Sequence, residues 1–227
     1  SLSSEISPKF REYERTNTAV ANAYVKPIVE RYMDRLEGAL KQRGFARTLM
    51  VMQSSGGLVT PAIAKEFPIR IIESGPAAGV LMGGIVGTAE GWEHVITFDM
   101  GGTSADIGIV SDGTFAQASA RDTWVAGYPL LVSMIDIHTI GAGGGSIAYA
   151  DSGGGFRVGP RSAGAAPGPA AYGRGGQQPT VTDANVVLGR LNSSYFLGGE
   201  MPLDEDASHK VITTLASELS LDTAATA

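Results

Sequence analysis

The chain reads as α/β, a mixed sheet that includes a β-meander, with helices on its flanks. Three observations lead there. The apolar runs Val95-Ile96-Thr97-Phe98 and Ile107-Gly108-Ile109-Val110 bracket Asp99-Met100-Gly101-Gly102-Thr103-Ser104-Ala105-Asp106, which gives strand, glycine turn, strand. Thr114-Phe115-Ala116-Gln117-Ala118 offers a third antiparallel strand after the turn Ser111-Asp112-Gly113. Apolar residues spaced three or four apart supply helices before and after these strands. No helix directly follows the glycine turn, so neither a Rossmann unit nor a P-loop fits.

Taken in order, residues 1–15 carry no periodicity, and the first helix is predicted from about Thr18 to Arg43. Val20, Tyr24, Ile28, Tyr32, Met33, Leu36 and Leu40 recur at helical spacing and are expected in the core, with Glu30, Arg31, Asp34, Arg35 and Glu37 facing water. Pro27 should kink or break this helix, and Gly44 is placed to stop it. Thr48 to Gln53 is expected to be a buried strand ending in the loop Ser54-Ser55-Gly56-Gly57, a structural turn in a place where ligands collect in doubly wound folds. A short helix at Thr60 to Lys65 and a strand at Ile69 to Ile72 follow. The next helix starts within Glu73-Ser74-Gly75-Pro76-Ala77-Ala78-Gly79-Val80 and continues to about Ala89. Its small residues suit close packing on a sheet, and its free N–H groups suit an anion; both readings stand.

Beyond the meander, the apolar run Tyr128 to Ile137 leads to His138, a loop from Gly141, and a strand from Ser146 that pairs with Phe156-Arg157-Val158. His138 lies between aliphatic residues and is expected as a hydrogen-bonded core histidine, with a substrate-facing or metal-ligating role beside Asp136 as the second reading. Residues 159–180 hold too much Gly and Pro for regular structure, and Arg161 or Arg174 within them could grip a phosphate or carboxylate. Thr182 is read as the N-cap of a helix to Leu191, and Glu205 to Leu219 as an amphipathic helix with Ala207, Val211, Ile212 and Leu215 inward. The expected division is an N-terminal helical segment, 1–47, packed on a core of residues 48–227.

Composition bounds the function. The 227 residues, 43% of them hydrophobic, can bury a sizeable core. A net charge of −6, from 23 acidic and 17 basic residues with no basic cluster among aromatics, argues against a nucleic-acid surface. The absence of cysteine excludes disulfides, thiolate metal sites and a cysteine nucleophile. No apolar run reaches the roughly 18 residues of a membrane span, and the start SLSSEISPKF has no signal-peptide apolar region, so a cytoplasmic protein without membrane contact is expected.

The chemistry concentrates in the glycine turn. Gly101 and Gly102 let backbone N–H groups approach an anion closely, Thr103 and Ser104 add hydroxyl donors, and Asp99 and Asp106 are hard oxygen groups suited to Mg²⁺ or its bound water. The set suits a metal-bound polyphosphate; a plain hairpin turn with solvated aspartates is the alternative reading.

Five blocks in order, MQSSGGL at 52–58, ESGPAAGV at 73–80, FDMGGTSADI at 98–107, HTIGAGGGSIA at 138–148 and VGPRSAGAAPGPAAYGRGGQQPTVTDANVVLGRL at 158–191, resemble the hydantoinase A/5-oxoprolinase family. That family includes N-methylhydantoinase A and related subunits of acetone and acetophenone carboxylases, and the resemblance covers nearly the whole chain. It implies a ribonuclease-H-like ATPase fold of the actin, hexokinase and Hsp70 type over residues 48–227, truncated at both ends. On the matching positions, Gly101, Gly102, Thr103 and Ser104 would contact the phosphates of ATP, and Gly143, Gly144 and Gly145 would line the cleft. Asp99 and Asp106 would be catalytic, binding Mg²⁺ through water or positioning the attacking group, with Asp99 as the metal residue. The implied reaction is ATP-driven phosphorylation of a lactam oxygen before ring opening, carried out with a B-type (hydantoinase B-like) subunit. A ketone carboxylase subunit and a non-catalytic ATP-driven switch are the alternatives. Family members also carry a second hairpin resembling GVDxGGTFTD near the amino terminus, which is not in this chain, so an internal piece without activity of its own is expected. Ala105 and Ala171 stand where the family usually has Thr and often has Cys.

Overall fold

A computed structural model describes residues 1–118, 123–125 and 127–227, which form two units, Ser1–Thr97 with Ile107–His138, and Phe98–Asp106 with Thr139–Ala227. The fold is α/β.

The first unit opens with α1 (Ser3–Ile6) and α2 (Glu12–Gln42). Pro27 lies inside α2 without ending it, and Ala23, whose carbonyl the missing N–H would have met, is exposed, so water can take that acceptor. At the far end the Phe45 N–H reaches back to the Leu40 carbonyl at 3.0 Å, with Gly44 at φ +81°, a Schellman-type stop. Of the residues of α2 expected in the core, Met33 is buried at 3% and Leu36 and Leu40 are half-buried, but Val20 is 63%, Tyr24 80%, Ile28 59% and Tyr32 59% exposed, and the most deeply buried positions are the polar Thr18 and Asn22 at 0%. The physical reason is hydrogen bonding. Asn22 Oδ1 accepts the Ile69 N–H at 3.2 Å and its Nδ2 donates to the Glu66 carbonyl at 3.2 Å. Thr18 Oγ1 accepts the Leu131 N–H at 2.8 Å and donates to the Glu14 carbonyl at 2.6 Å. Ala19 and Ala21 on this face let the helix settle against Ile6, Ile69, Leu130, Val132 and Met134.

Next come β1 (Val51–Met52) and β2 (Leu58–Val59), two-residue strands paired antiparallel across the Ser54–Gly57 turn, where a longer buried strand was expected. After α3 (Pro61–Glu66), the run Ile69 to Ile72 forms not a strand but a 3₁₀ turn, Pro68–Ile71. Burial explains its apolar residues: Ile69 is 2% exposed and its N–H is taken by Asn22.

Helix α4 (Ser74–Ala89) covers the meander of β3 (His94–Met100), β4 (Ala105–Ser111) and β5 (Thr114–Phe115), whose order is β3-β4-β5. Gly83 and Gly87 of α4 let it pack closely on the sheet. A Cβ on Gly83 would overlap Thr97, one on Gly87 would overlap Val95, and one on Gly108 of β4 would overlap Val80 of the helix. Ala77, Val80, Val110 and Ile135 form the core between them. The short pair β6 (Trp124–Val125) and β7 (Tyr128–Pro129) follows, then β8 (Ile137–Ile140), which pairs with β4.

The second unit contains the tip of the β3–β4 hairpin, the antiparallel pair β9 (Ser146–Ala150) and β10 (Phe156–Ser162), α5 (Val181–Val187), α6 (Glu205–Leu219) and α7 (Thr223–Thr226). The N-cap of α5 is Thr180 rather than Thr182, because Asp183 at the third helical position closes a reciprocal capping box with it. Asp183 is fully buried and also orders the Gly/Pro-rich loop: its carboxylate accepts the N–H groups of Ala171 (2.7 Å), Ala170 (3.3 Å) and Thr180 (3.0 Å) and the hydroxyls of Thr180 (2.7 Å) and Ser208 (3.0 Å). Helix α6 turns Val211, Ile212 and Leu215 inward, as its pattern predicts, with Ala216 buried beside them and Ala207 half-buried.

Candidate phosphate-binding turn

Between β3 and β4 the chain turns through Gly101-Gly102-Thr103-Ser104, closed by the Gly101 N–H donating to the Ser104 carbonyl at 2.9 Å. A second glycine segment lies directly behind it. The Gly144 N–H donates to the Gly101 carbonyl at 3.0 Å, and the Gly145 N–H to the Gly102 carbonyl at 2.7 Å. The approach is too close for a side chain: a Cβ on Gly143 would stand 2.6 Å from the Gly102 carbonyl carbon and from the Thr103 nitrogen.

This backing decides where the turn amides point. In a trans peptide the C=O and the following N–H are opposed, so pinning the carbonyls of Gly101 and Gly102 toward Gly144 and Gly145 aims the N–H groups of Gly102 and Thr103 the other way. Among the described residues, the amides of Gly102, Thr103 and Ser104 and the hydroxyls of Thr103 and Ser104 have no protein partner, and residues 101–103 are exposed. The turn therefore offers unpaired N–H and O–H donors on a fixed backbone, with the Gly102 and Thr103 amides aimed outward, an arrangement suited to an oxyanion.

Gly143, Gly144 and Gly145 contribute support rather than donors. The Gly143 N–H goes to Ser146 Oγ at 2.9 Å, and the other two amides are spent on the turn. The Gly144 carbonyl in turn accepts the N–H of Thr182 at 2.8 Å and its Oγ1 at 2.9 Å, which ties the start of α5 to the back of the turn. Thr182, read from sequence as a cap, is instead this strut.

The two aspartates differ. Asp106 is half-buried in β4 and its Oδ1 accepts the Thr139 hydroxyl of β8 at 2.6 Å, whereas Asp99 is exposed in β3 with no side-chain partner among the described residues. Sequence reasoning passed over Thr139, although it sits in the HTIGAGGGSIA block that carries the supporting glycines. Among the described residues only Glu93, His94 and Asp112 bring three ligand atoms within 4.8 Å of one another, and neither Asp99 nor Asp106 is among them. A cation at the turn would thus complete its shell from phosphate and water oxygens, as Mg²⁺ commonly does.

His138 is not a core histidine. Its neighbour Ile137 packs against the core of Ala77, Val80, Val110 and Ile135, and strand alternation turns His138 outward. With Asp136 it lines an open groove of about 600 Å³ beside Ile107, Ile109 and Phe115, which contains no residue of the glycine turn. Arg161 stacks its guanidinium over Tyr149 at 4.8 Å, and Arg174 lies 3.6 Å from the Met201 sulfur.

The hydantoinase/oxoprolinase family model matches residues 15–227. The chain is 42% identical over 214 residues to the caprolactamase subunit alpha of Pseudomonas jessenii, covering 94% of this chain and 30% of that subunit. The crystal structure of that organism's ATP-dependent caprolactamase superposes with a TM-score of 0.74 at 40% identity, over 99% of this chain and 32% of that one. Yeast (Saccharomyces cerevisiae) 5-oxoprolinase is 39% identical over 218 residues, 95% of this chain and 16% of that protein. A nucleotide-free structure of acetone carboxylase, solved in a study of ATP-dependent acetone carboxylation, superposes with a TM-score of 0.80 at 30% identity, over 99% of this chain and 31% of that one. The chain thus spans about a third or less of the length of the relatives it matches.

Proposed function

The chain belongs to the hydantoinase/oxoprolinase family, and from that premise we propose that it is the nucleotide-binding part of an ATP-dependent hydrolase of cyclic amides, folded as a ribonuclease-H-like ATPase domain of the actin and hexokinase type. One observation carries the reading: three unclaimed amides and two unclaimed hydroxyls on an exposed turn, flanked by Asp99 and Asp106. Likeness to an ATP-dependent caprolactamase and to a 5-oxoprolinase supports the lactam substrate class.

Magnesium-bound ATP would supply the phosphoryl group that turns a poorly reactive lactam oxygen into a leaving group. The N–H groups of Gly102, Thr103 and Ser104 hold phosphate oxygens, and the two hydroxyls add donors where charge accumulates. Asp99 faces solvent and would hold the magnesium ion; Asp106, fixed by Thr139, would orient the attacking group. The fixed backbone behind the turn means that these donors need little rearrangement during transfer. The caprolactamase relative is itself an alpha subunit, which supports a partner subunit, here of hydantoinase B type. Use of ATP favours the cytoplasm as the place of reaction. The acetone carboxylase superposition supports a second reading in which a ketone oxygen takes the place of the lactam oxygen.

Phosphate release from Mg-ATP by the full-length subunit with its partner, measured against hydantoin, 5-oxoproline, caprolactam, and ketones with bicarbonate, separates these. Stimulation by a cyclic amide that is lost in Asp99→Asn is the expected result. Stimulation only by a ketone with bicarbonate would assign the carboxylase, and release indifferent to every substrate would leave a nucleotide-driven switch.

A further inference from the structure

We propose that Thr139 is a positioning residue for the phosphate turn, acting through Asp106; the inference rests on the nucleotide-binding reading of that turn. The contact is a hydroxyl donating to carboxylate Oδ1 at 2.6 Å across 33 residues of sequence. A carboxylate's terminal torsion is broad and two-fold, so a half-buried Asp106 with no partner would sample several orientations. Holding one oxygen fixes the carboxylate plane and leaves Oδ2, which has no protein partner among the described residues, free for the reacting groups.

Packing does not account for the contact. Thr139 is exposed, so its hydroxyl could be satisfied by water, and an exposed hydrogen bond adds little to stability. What distinguishes Thr139 is its place in the chain. Four residues on, the same segment supplies Gly143, Gly144 and Gly145, which press on the turn and pin the Gly101 and Gly102 carbonyls. Residues 139–145 therefore hold the site at two points, the carboxylate and the back of the anion-binding amides, and so set the one relative to the other. Phosphoryl transfer depends on that relation, because displacing a positioned group by a fraction of an ångström is felt in the rate.

The test uses the full-length subunit with its partner and compares Thr139→Val, Thr139→Ser, Asp106→Asn and the double variant Thr139→Val/Asp106→Asn. The readout is substrate-stimulated phosphate release from Mg-ATP, with kcat and the KM for the cyclic amide taken separately. Thr139→Val should lower kcat about tenfold or more while leaving KM within about twofold, Thr139→Ser should restore most of the rate, and in the Asp106→Asn background Thr139→Val should cost nothing further. An undiminished rate in Thr139→Val, an equal loss in both backgrounds, or a wild-type rate in Asp106→Asn would overturn the inference while leaving the nucleotide-binding reading in place. Absence of Mg-ATP-dependent release from the wild type would remove both.

Discussion

Five donors converge on the fully buried carboxylate of Asp183, three of them backbone amides of residues 170, 171 and 180. Truncation to Ala leaves those donors buried without partners, so Asp183→Ala should cost at least about 3 kcal/mol in denaturant unfolding. Gly143 poses the opposite problem, because a new methyl would meet backbone 2.6 Å away, which no rotamer change relieves. Gly143→Ala should therefore displace the turn and weaken nucleotide binding about tenfold or more, read by titration with a non-hydrolysable ATP analogue. At the surface, Asp151 is held below the ordinary carboxylate range by the Gly155 N–H, then the Arg157 guanidinium and the Gly153 N–H. A depressed carboxylate stabilises the fold above its unfolded value and loses that contribution as pH falls through its folded value. The stability advantage of the wild type over Asp151→Ala should thus be present above about pH 4 and fade below it, a small effect at so exposed a group. Asp99, Gly101 to Ser104 and Asp106 could be proposed from the sequence because the grouping is local, within eight residues. Thr139 and Asp183 were not, since a hydroxyl or carboxylate in a sequence does not announce a partner 33 or 25 residues away.

Helix α2 shows what periodicity can and cannot say about an element. The stripe Val20, Tyr24, Ile28, Tyr32 is real, but the face that packs is the one with Thr18, Asn22 and small alanines. Spacing reveals a stripe and leaves open which side the chain covers, and buried Asn and Thr read as polar until their backbone partners are known. In unfolding measurements on this chain, Asn22→Ala should cost about 2 kcal/mol through the orphaned Ile69 N–H and Glu66 carbonyl. Tyr24→Ser should stay within about 0.5 kcal/mol. A larger loss at Tyr24 than at Asn22 would contradict the observed orientation. In α4, the overlaps a Cβ would make at Gly83 and Gly87 show close packing in the second half of the helix, whereas Gly75 and Gly79 near its N-terminus have nothing within 4 Å. Short apolar runs misled for a related reason: Ile69 is buried with Ile71 and Ile72 half-buried, and the run's hydrogen bonds go to a side chain and a loop, not to a ladder.

For the molecule as a whole, the two halves of the candidate site come from segments far apart in sequence, the β3–β4 turn and residues 139–145, which fold into one unit. Family membership was legible because five separated blocks keep their order over nearly the whole chain, and the family match over residues 15–227 agrees. Substrate identity was not legible from sequence, and the relatives act through chains three or more times longer than this one. The central claim is chemical: a lactam oxygen is phosphorylated before the ring opens. Turnover of a cyclic amide labelled with ¹⁸O in its carbonyl, by the full-length subunit with its partner and Mg-ATP, tests it directly. The account predicts that the label of the opened carbonyl appears in the released phosphate, one atom per ring opened. Retention of the label in the ring-opened product, with unlabelled phosphate, would contradict it.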